Sequence, residues 1–296
     1  MLQASVKEIF MKVGLVACSN GLDPGSKQQI EDLIRVFEIM GVDAVPSDHV
    51  YRKTDVFSAP DGVRAEDLMR FYRDDSIDAI YDISGGDLAN GVLPYLDYEM
   101  IAASGKQFWG YSDLTSVINA VYAKTGKDSV LYQVRNLVWA DAELQKKRFA
   151  AYLSGDMRPL FGFGCRFLRG DHMEGILLGG NIRCFLKLAG TRYWPDLHGK
   201  LLLLESLGGE SGQIATLLSH LDQTGAFEQV SGILLGTFTA YEKAGLVLSV
   251  LDLLKTHIRE DLPVAVTREV GHGTDARAVY IGRKYEFYGC RDTAVF

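Results

Sequence analysis

Residues 107–125 read QFWGYSDLTSVINAVYAKT, and a change of period inside them decides the fold class. QFWGY is a short apolar run of the kind that builds a buried strand, whereas Leu114, Val117, Ile118 and Val121 recur at helical spacing. A strand that runs into a helix through Gly110-Tyr111-Ser112-Asp113 is the repeating unit of an α/β sheet. The same alternation extends upstream. KVGLVACS (12–19) predicts a first strand, residues 26–40 a helix with Ile30, Leu33, Ile34 and Phe37 on one face, and VDAVPS (42–47) a second strand. A helix over 64–73 leads into the strand DAIYDIS (78–84), and Ser84-Gly85-Gly86-Asp87 interrupts the pattern before a helical stretch over 88–103. Downstream, SVLYQV (129–134) reads as a strand, followed by a helix from about residue 143.

Residues 154–170 carry Gly155, Pro159, Gly162, Gly164 and Gly170 without periodicity, so a linker is expected over 156–170. It separates an N-terminal domain (11–155) from a C-terminal domain (171–296). The latter holds GILLGG (175–180), a short helix from Asn181, LLLL (201–204), a helix from about residue 213, GILLGTF (232–238), PVAVTRE (263–269) and final strands near Val279 and Phe287. The expected architecture is α/β: a mostly parallel sheet flanked by helices, then a second, smaller, β-rich α/β domain.

Composition narrows the function classes. At 296 residues, with 47% apolar and 23% charged side chains, the chain is globular and long enough for two cores. A net charge of -7 without clustered Lys or Arg argues against a nucleic-acid partner. The four cysteines, Cys18, Cys165, Cys184 and Cys290, form no C-x-x-C pair and read as free, mostly buried thiols. The opening MLQASVKEIF is too short and polar for a signal peptide, and no apolar run reaches about 18 residues. A cytoplasmic protein without a membrane partner is expected.

Ser112, between strand and helix, stands where a nucleophile elbow would hold a reactive serine. Leu114 replaces the last glycine of G-x-S-x-G, and serine is also a favoured helix cap, so both readings stand. The amides at the start of the following helix would face an oxyanion formed beside Ser112. The Ser84–Asp87 turn, at the end of the preceding strand, belongs at the same carboxyl edge of the sheet. Of six histidines, His272 lies between two glycines just after a strand and is best placed to act as base. For its orienting acid, Glu205 directly follows four buried-type leucines, with Glu210 and Asp275 as competitors.

The chain resembles the LD-carboxypeptidase family of serine peptidases, which also contains the microcin C self-immunity hydrolases. The resemblance is carried by SGGDLANGVLPYLDYEMI, FWGYSDLTSVINAVYAKTG, GILLGGNIRCFLKLAGT, KLLLLES and PVAVTREVGHG in this order. It implies a Ser-Glu-His triad of Ser112, Glu205 and His272 between a nucleophile domain and a C-terminal domain, with backbone N–H groups of Gly86 and Asp113 as the oxyanion hole. The implied reaction is acyl transfer from a small peptide or muropeptide, with no metal and no cofactor, in a homodimer. The chain departs from the family at Ser84 and Asp87, where an arginine and an aromatic are common, and at Gln133-Val134-Arg135, in place of a His-Gly-Pro-like stretch. The proline usual after the histidine is also missing, at Arg277-Ala278-Val279.

Three functions follow. One is removal of a terminal D-amino acid from a peptidoglycan tetrapeptide, with Arg183 as candidate clamp for the free carboxylate. A second is hydrolysis of peptidyl-nucleotide compounds, with Tyr193 or Trp194 stacking on the base. The third is a non-catalytic module binding a small anion.

Overall fold

In a computed structural model of the chain, which describes residues 10–289, the alternating strands and helices assemble into two six-stranded sheets. The first holds β1 (Met11–Val16), β2 (Val42–Pro46), β3 (Ala79–Asp82), β4 (Gln107–Gly110) and β5 (Ser129–Leu131), all parallel. The second holds β6 (Arg166–Arg169), β7 (His172–Asn181), β8 (Leu201–Ser206), β9 (Gly232–Phe238) and β10 (Val264–Val266). Here β7 to β10 run parallel and β6 is antiparallel to β10. The last two strands, β11 (Val279–Ile281) and β12 (Lys284–Tyr288), add antiparallel to β5 and to β7, respectively. Sheet orders are β11-β5-β4-β3-β1-β2 and β12-β7-β8-β9-β10-β6.

Central parallel strands are covered on both faces and therefore apolar along their length. Leu201, Leu202, Leu203 and Leu204 are fully buried, as are Val13, Leu15 and Val16 of β1. The helix Lys27–Ile39 buries Ile30, Leu33 and Phe37, with Ile34 partly covered at the edge of that stripe.

Three local expectations change. The stretch read as a linker contains the short helix Arg158–Phe161 and the edge strand β6; both are too short for their periodicity to be visible among the glycines. Residues 88–103 split into the 3-10 segment Ala89–Tyr95, which contains Pro94, and the helix Tyr98–Ala103 capped by Asp97. Proline lacks the amide that an unbroken α-helix needs. Finally, β11, placed in the C-terminal half by sequence, completes the first sheet, because pairing across the lobes is a long-range choice that local pattern does not encode. Cys18 and Cys184 are buried free thiols and Cys165 is partly exposed; Cys290 lies outside the described residues. Among the described residues no helix is long and apolar enough to cross a membrane.

The lobes meet along the helix Thr115–Thr125 that follows the Ser112 turn. Asn119, fully buried, donates to Gly179 O at 2.9 Å and accepts from Gly179 N at 2.9 Å. In this way a side-chain amide satisfies both backbone groups of one β7 residue. Thr115 Oγ1 accepts from Asn181 N at 3.1 Å.

Candidate active site

Ser112 sits at the carboxyl end of β4, where Tyr111 is extended (φ -147°) and Ser112 itself has φ +57°. A left-handed backbone at a non-glycine residue is uncommon and costs about 1–3 kcal/mol. It is the conformation of a sharp elbow that lifts a side chain out of the sheet edge. Ser112 does not cap the helix with its side chain: the cap residue of its 3-10 turn is Tyr111 and that of the helix is Leu114, and neither makes a side-chain capping bond.

The Ser112 hydroxyl instead faces His272, with Oγ 3.1 Å from Nε2, and His272 Nδ1 lies 2.6 Å from Glu205 Oε2. The Glu205 side chain is fully buried and that of His272 is 10% exposed. Glu205 belongs to the last turn of β8, where the register against β9 shifts between Leu204 and Ser206; such an irregularity re-aims a side chain at a sheet edge. His272 is aimed by Gly271, which has φ +147° and whose missing Cβ would lie 1.8 Å from Thr237 Oγ1. No other residue could bring the loop this close to β9.

Glu205 Oε1 and the buried Tyr111 hydroxyl have no hydrogen bond of good geometry among the described residues, although the carboxylate acts on the phenol by charge and by hydrogen bonding. Tyr111 packs on the His272 ring at 4.8 Å between centroids. Burial, and secondarily the Glu205 carboxylate, hold the Tyr111 phenol well above its usual pKa. It therefore stays neutral beside the relay. Among the described residues Glu205 is the one acid hydrogen-bonded to His272; Glu210 instead forms a capping box with Gln213 on the helix Ser211–Gln223. His49, His172, His198 and His257 pair with Asp67, Glu286, Asp196 and Asp222.

The Ser84–Asp87 turn lies beside Ser112. Gly86 has φ +125°, a Cβ there would come 2.3 Å from the Asn20 side chain, and its N–H meets no acceptor among the described residues. Asn20 Oδ1 accepts from Asp87 N at 3.0 Å and holds the turn. Asp113, next to Ser112, is buried and saturated: it accepts from Ser19 Oγ at 2.6 Å and Ala89 N at 2.8 Å, and pairs with Lys187 from the second lobe. Its surroundings tie the elbow to both neighbouring turns and across the lobe interface. Sequence reasoning assigned Asp113 only an amide and missed Tyr111, Asn20, Lys187 and Asn119. No local pattern marks these four, because the role of each depends on a partner far along the chain.

Two cavities open at Ser112. The wider, about 1100 Å³, is bordered by Asp87, Asn181, Arg183, the turn 206–210 and one face of the helix that follows it. The smaller, about 240 Å³, is bordered by Arg135, Trp139 and His272. Arg183 is half exposed and pairs with Asp87, also donating to Gly86 O at 3.0 Å. Tyr193 and Trp194 border neither cavity. Tyr193 packs on Tyr98 across the lobes and Trp194 on Phe185 within its own lobe, at 5.9 and 4.7 Å between ring centroids, so neither forms a base-stacking platform at the site. Among the described residues no cluster of three or more His, Cys, Asp or Glu could hold a metal.

Residues 13–132 match the family described as LD-carboxypeptidase N-terminal domain, and residues 174–287 the LD-carboxypeptidase C-terminal domain. The probable murein peptide carboxypeptidase of Bacillus subtilis is 26% identical over 96% of this chain and 90% of its own. The murein tetrapeptide carboxypeptidase of Pseudomonas aeruginosa is 26% identical over 95% and 94%. Among solved structures, the microcin C7 self-immunity protein MccF in complex with glutamyl sulfamoyl guanosine superposes with a TM-score of 0.83 at 20% identity, covering 99% of this chain and 98% of that one.

Proposed function

The chain belongs to the LD-carboxypeptidase family, and from that premise we propose that it is a serine-type carboxypeptidase that cleaves the amide bond to a terminal D-amino acid in cytoplasmic peptidoglycan peptides. The observation that carries this reading is the continuous relay from Ser112 through His272 to a fully buried Glu205, with contacts of 3.1 and 2.6 Å.

In this reading His272 Nε2 removes the Ser112 proton as Oγ attacks the scissile carbonyl carbon. Glu205 Oε2 accepts the Nδ1–H, selects the tautomer that leaves Nε2 free, and compensates the imidazolium that forms. The N–H groups of Gly86 and Asp113 receive the oxyanion; each such donor is worth about 10²-fold or more in rate. His272 returns the proton to the leaving nitrogen as the C–N bond breaks, and a water activated by the same imidazole then releases the acyl group from Ser112. Every one of these groups sits at the carboxyl edges of the two sheets, where the lobes meet.

The test is release of D-Ala from L-Ala-D-Glu-diaminopimelate-D-Ala, followed by mass spectrometry. Wild type is expected to release it and Ser112→Ala to lose about 10⁴-fold or more, with an unchanged unfolding midpoint because the Ser112 hydroxyl caps nothing. Equal release by both proteins would remove Ser112 from the mechanism.

A second reading is favoured by the size of the wider cavity, about 1100 Å³: hydrolysis of a peptidyl-nucleotide or acyl-sulfamoyl compound, MccF having been solved in complex with glutamyl sulfamoyl guanosine. Hydrolysis of glutamyl sulfamoyl adenosine without D-Ala release would support it. A purely anion-binding module is disfavoured, since it would have no need of a base and buried acid lined up behind a serine.

A further inference from the structure

The two cavities at Ser112 differ in more than size. Gly86, Ser112 and Leu207 border both, but His272 borders only the smaller one. In amide hydrolysis the proton that His272 takes from Ser112 must go to the nitrogen that leaves. The leaving group therefore lies on the His272 side, in the cavity of about 240 Å³, and the acyl portion extends into the wider one.

That smaller cavity contains an unmatched cation. Arg135 lies in the 3-10 segment Val134–Val138 just after β5. Its guanidinium stacks over Trp139 at 4.8 Å from the ring centroid. Its Nε is buried without a hydrogen bond, and the guanidinium makes no hydrogen bond or ion pair with any described residue, the bond from Arg135 N to Gln133 Oε1 being made by the backbone. Burial pulls its pKa down to about 10, with Asp82 opposing this only through space, so the group is still charged at neutral pH. Arg135 is only partly buried, but a charge that has lost part of its hydration without gaining a protein partner is disfavoured, and a bound anion would compensate for that loss. Arg183, the cation singled out from sequence, is already neutralised by Asp87 and borders the other cavity.

We propose that Arg135 is the specificity residue that binds the terminal carboxylate of the peptide, holding the leaving amino acid in the smaller cavity with its nitrogen toward His272. The assignment rests on the carboxypeptidase reading for its orientation. It deepens that reading by making the enzyme an exopeptidase: a chain that continued past the leaving residue would meet Trp139 and Arg135 with no free carboxylate to offer.

The test separates binding from turnover. By isothermal titration, Ser112→Ala should bind L-Ala-D-Glu-diaminopimelate-D-Ala about 10- to 100-fold more tightly than the same peptide with a C-terminal amide, the range of a charge-assisted hydrogen-bonded pair. Adding Arg135→Gln should bring the two peptides within about threefold by weakening only the free acid. Adding Arg135→Lys instead, which keeps the charge and the stem over Trp139 but loses the fork, should leave an intermediate preference and guards against misfolding of the glutamine variant. Retention of the full preference by both double variants, or no preference in Ser112→Ala, would overturn the proposal. Failure of wild type to release D-Ala, with the acid preference still dependent on Arg135, would refute the carboxypeptidase reading while leaving Arg135 as a carboxylate site.

Discussion

At Ser112 and Gly86 the backbone itself occupies conformations that most residues avoid, with φ +57° and +125°. Strain of this kind persists only where surrounding structure over-determines it. At Gly86 the constraint is the Asn20 side chain, which leaves no room for a Cβ. Gly86→Ala is therefore expected to displace the turn whose N–H is proposed to receive the oxyanion. Peptidase kcat should fall about 10²-fold, with a stability loss of about 1–3 kcal/mol in urea unfolding. A variant that loses stability but keeps its kcat would remove Gly86 from the oxyanion hole. From residue pattern alone this glycine reads as half of a pair, and only the family resemblance points to it; that it, rather than Gly85, carries the special backbone depends on Asn20, 66 residues earlier in the chain.

Among elements, the helix Thr115–Thr125 is central to the joint between the lobes. Its apolar positions Val117, Ile118 and Val121 were legible from their spacing, and all three are buried. Its polar positions were not legible, because a buried asparagine reads like a surface one until its partner is known. Asn119 meets both backbone groups of Gly179. Asn119→Ala should cost about 1–3 kcal/mol by leaving those groups buried and unpaired, measurable as a lower urea midpoint with an unchanged m-value. Stability within error of wild type would mean that water replaces the amide at the interface. The strands of both sheets were likewise legible, since a parallel strand covered on two sides must be apolar throughout. The short edge strand β6 and the helix Arg158–Phe161 were hidden because four-residue elements complete barely one period of any pattern.

On the scale of the whole molecule, the chain crosses back. After two sheets have been laid down in sequence order, β11 returns to the first and β12 to the second, joined only by the residues between Ile281 and Lys284. The Arg283 guanidinium lies over the Tyr280 ring at 3.4 Å and pairs with Asp128 beside β5, fastening the crossing. Such threading, together with the buried Asp113–Lys187 pair between lobes, couples the two cores. Calorimetry should give one transition with a calorimetric to van 't Hoff enthalpy ratio near one. Two resolved transitions would mean that the lobes melt independently despite the shared strands.

Local sequence determined the α/β class, the position of most strands and helices, and the three residue types able to form a relay, because hydrophobic period and strand-end placement are properties of neighbouring residues. The tertiary structure decided the rest. It selected Glu205 over Glu210 and Asp275 by bringing His272 within 2.6 Å of one carboxylate alone, it put Arg135 rather than Arg183 in the cavity bordered by that histidine, and it sent β11 back to the first sheet. Each of these choices depends on contacts between residues far apart in the chain, whose distances are set by how two sheets pack and not by any spacing along the sequence.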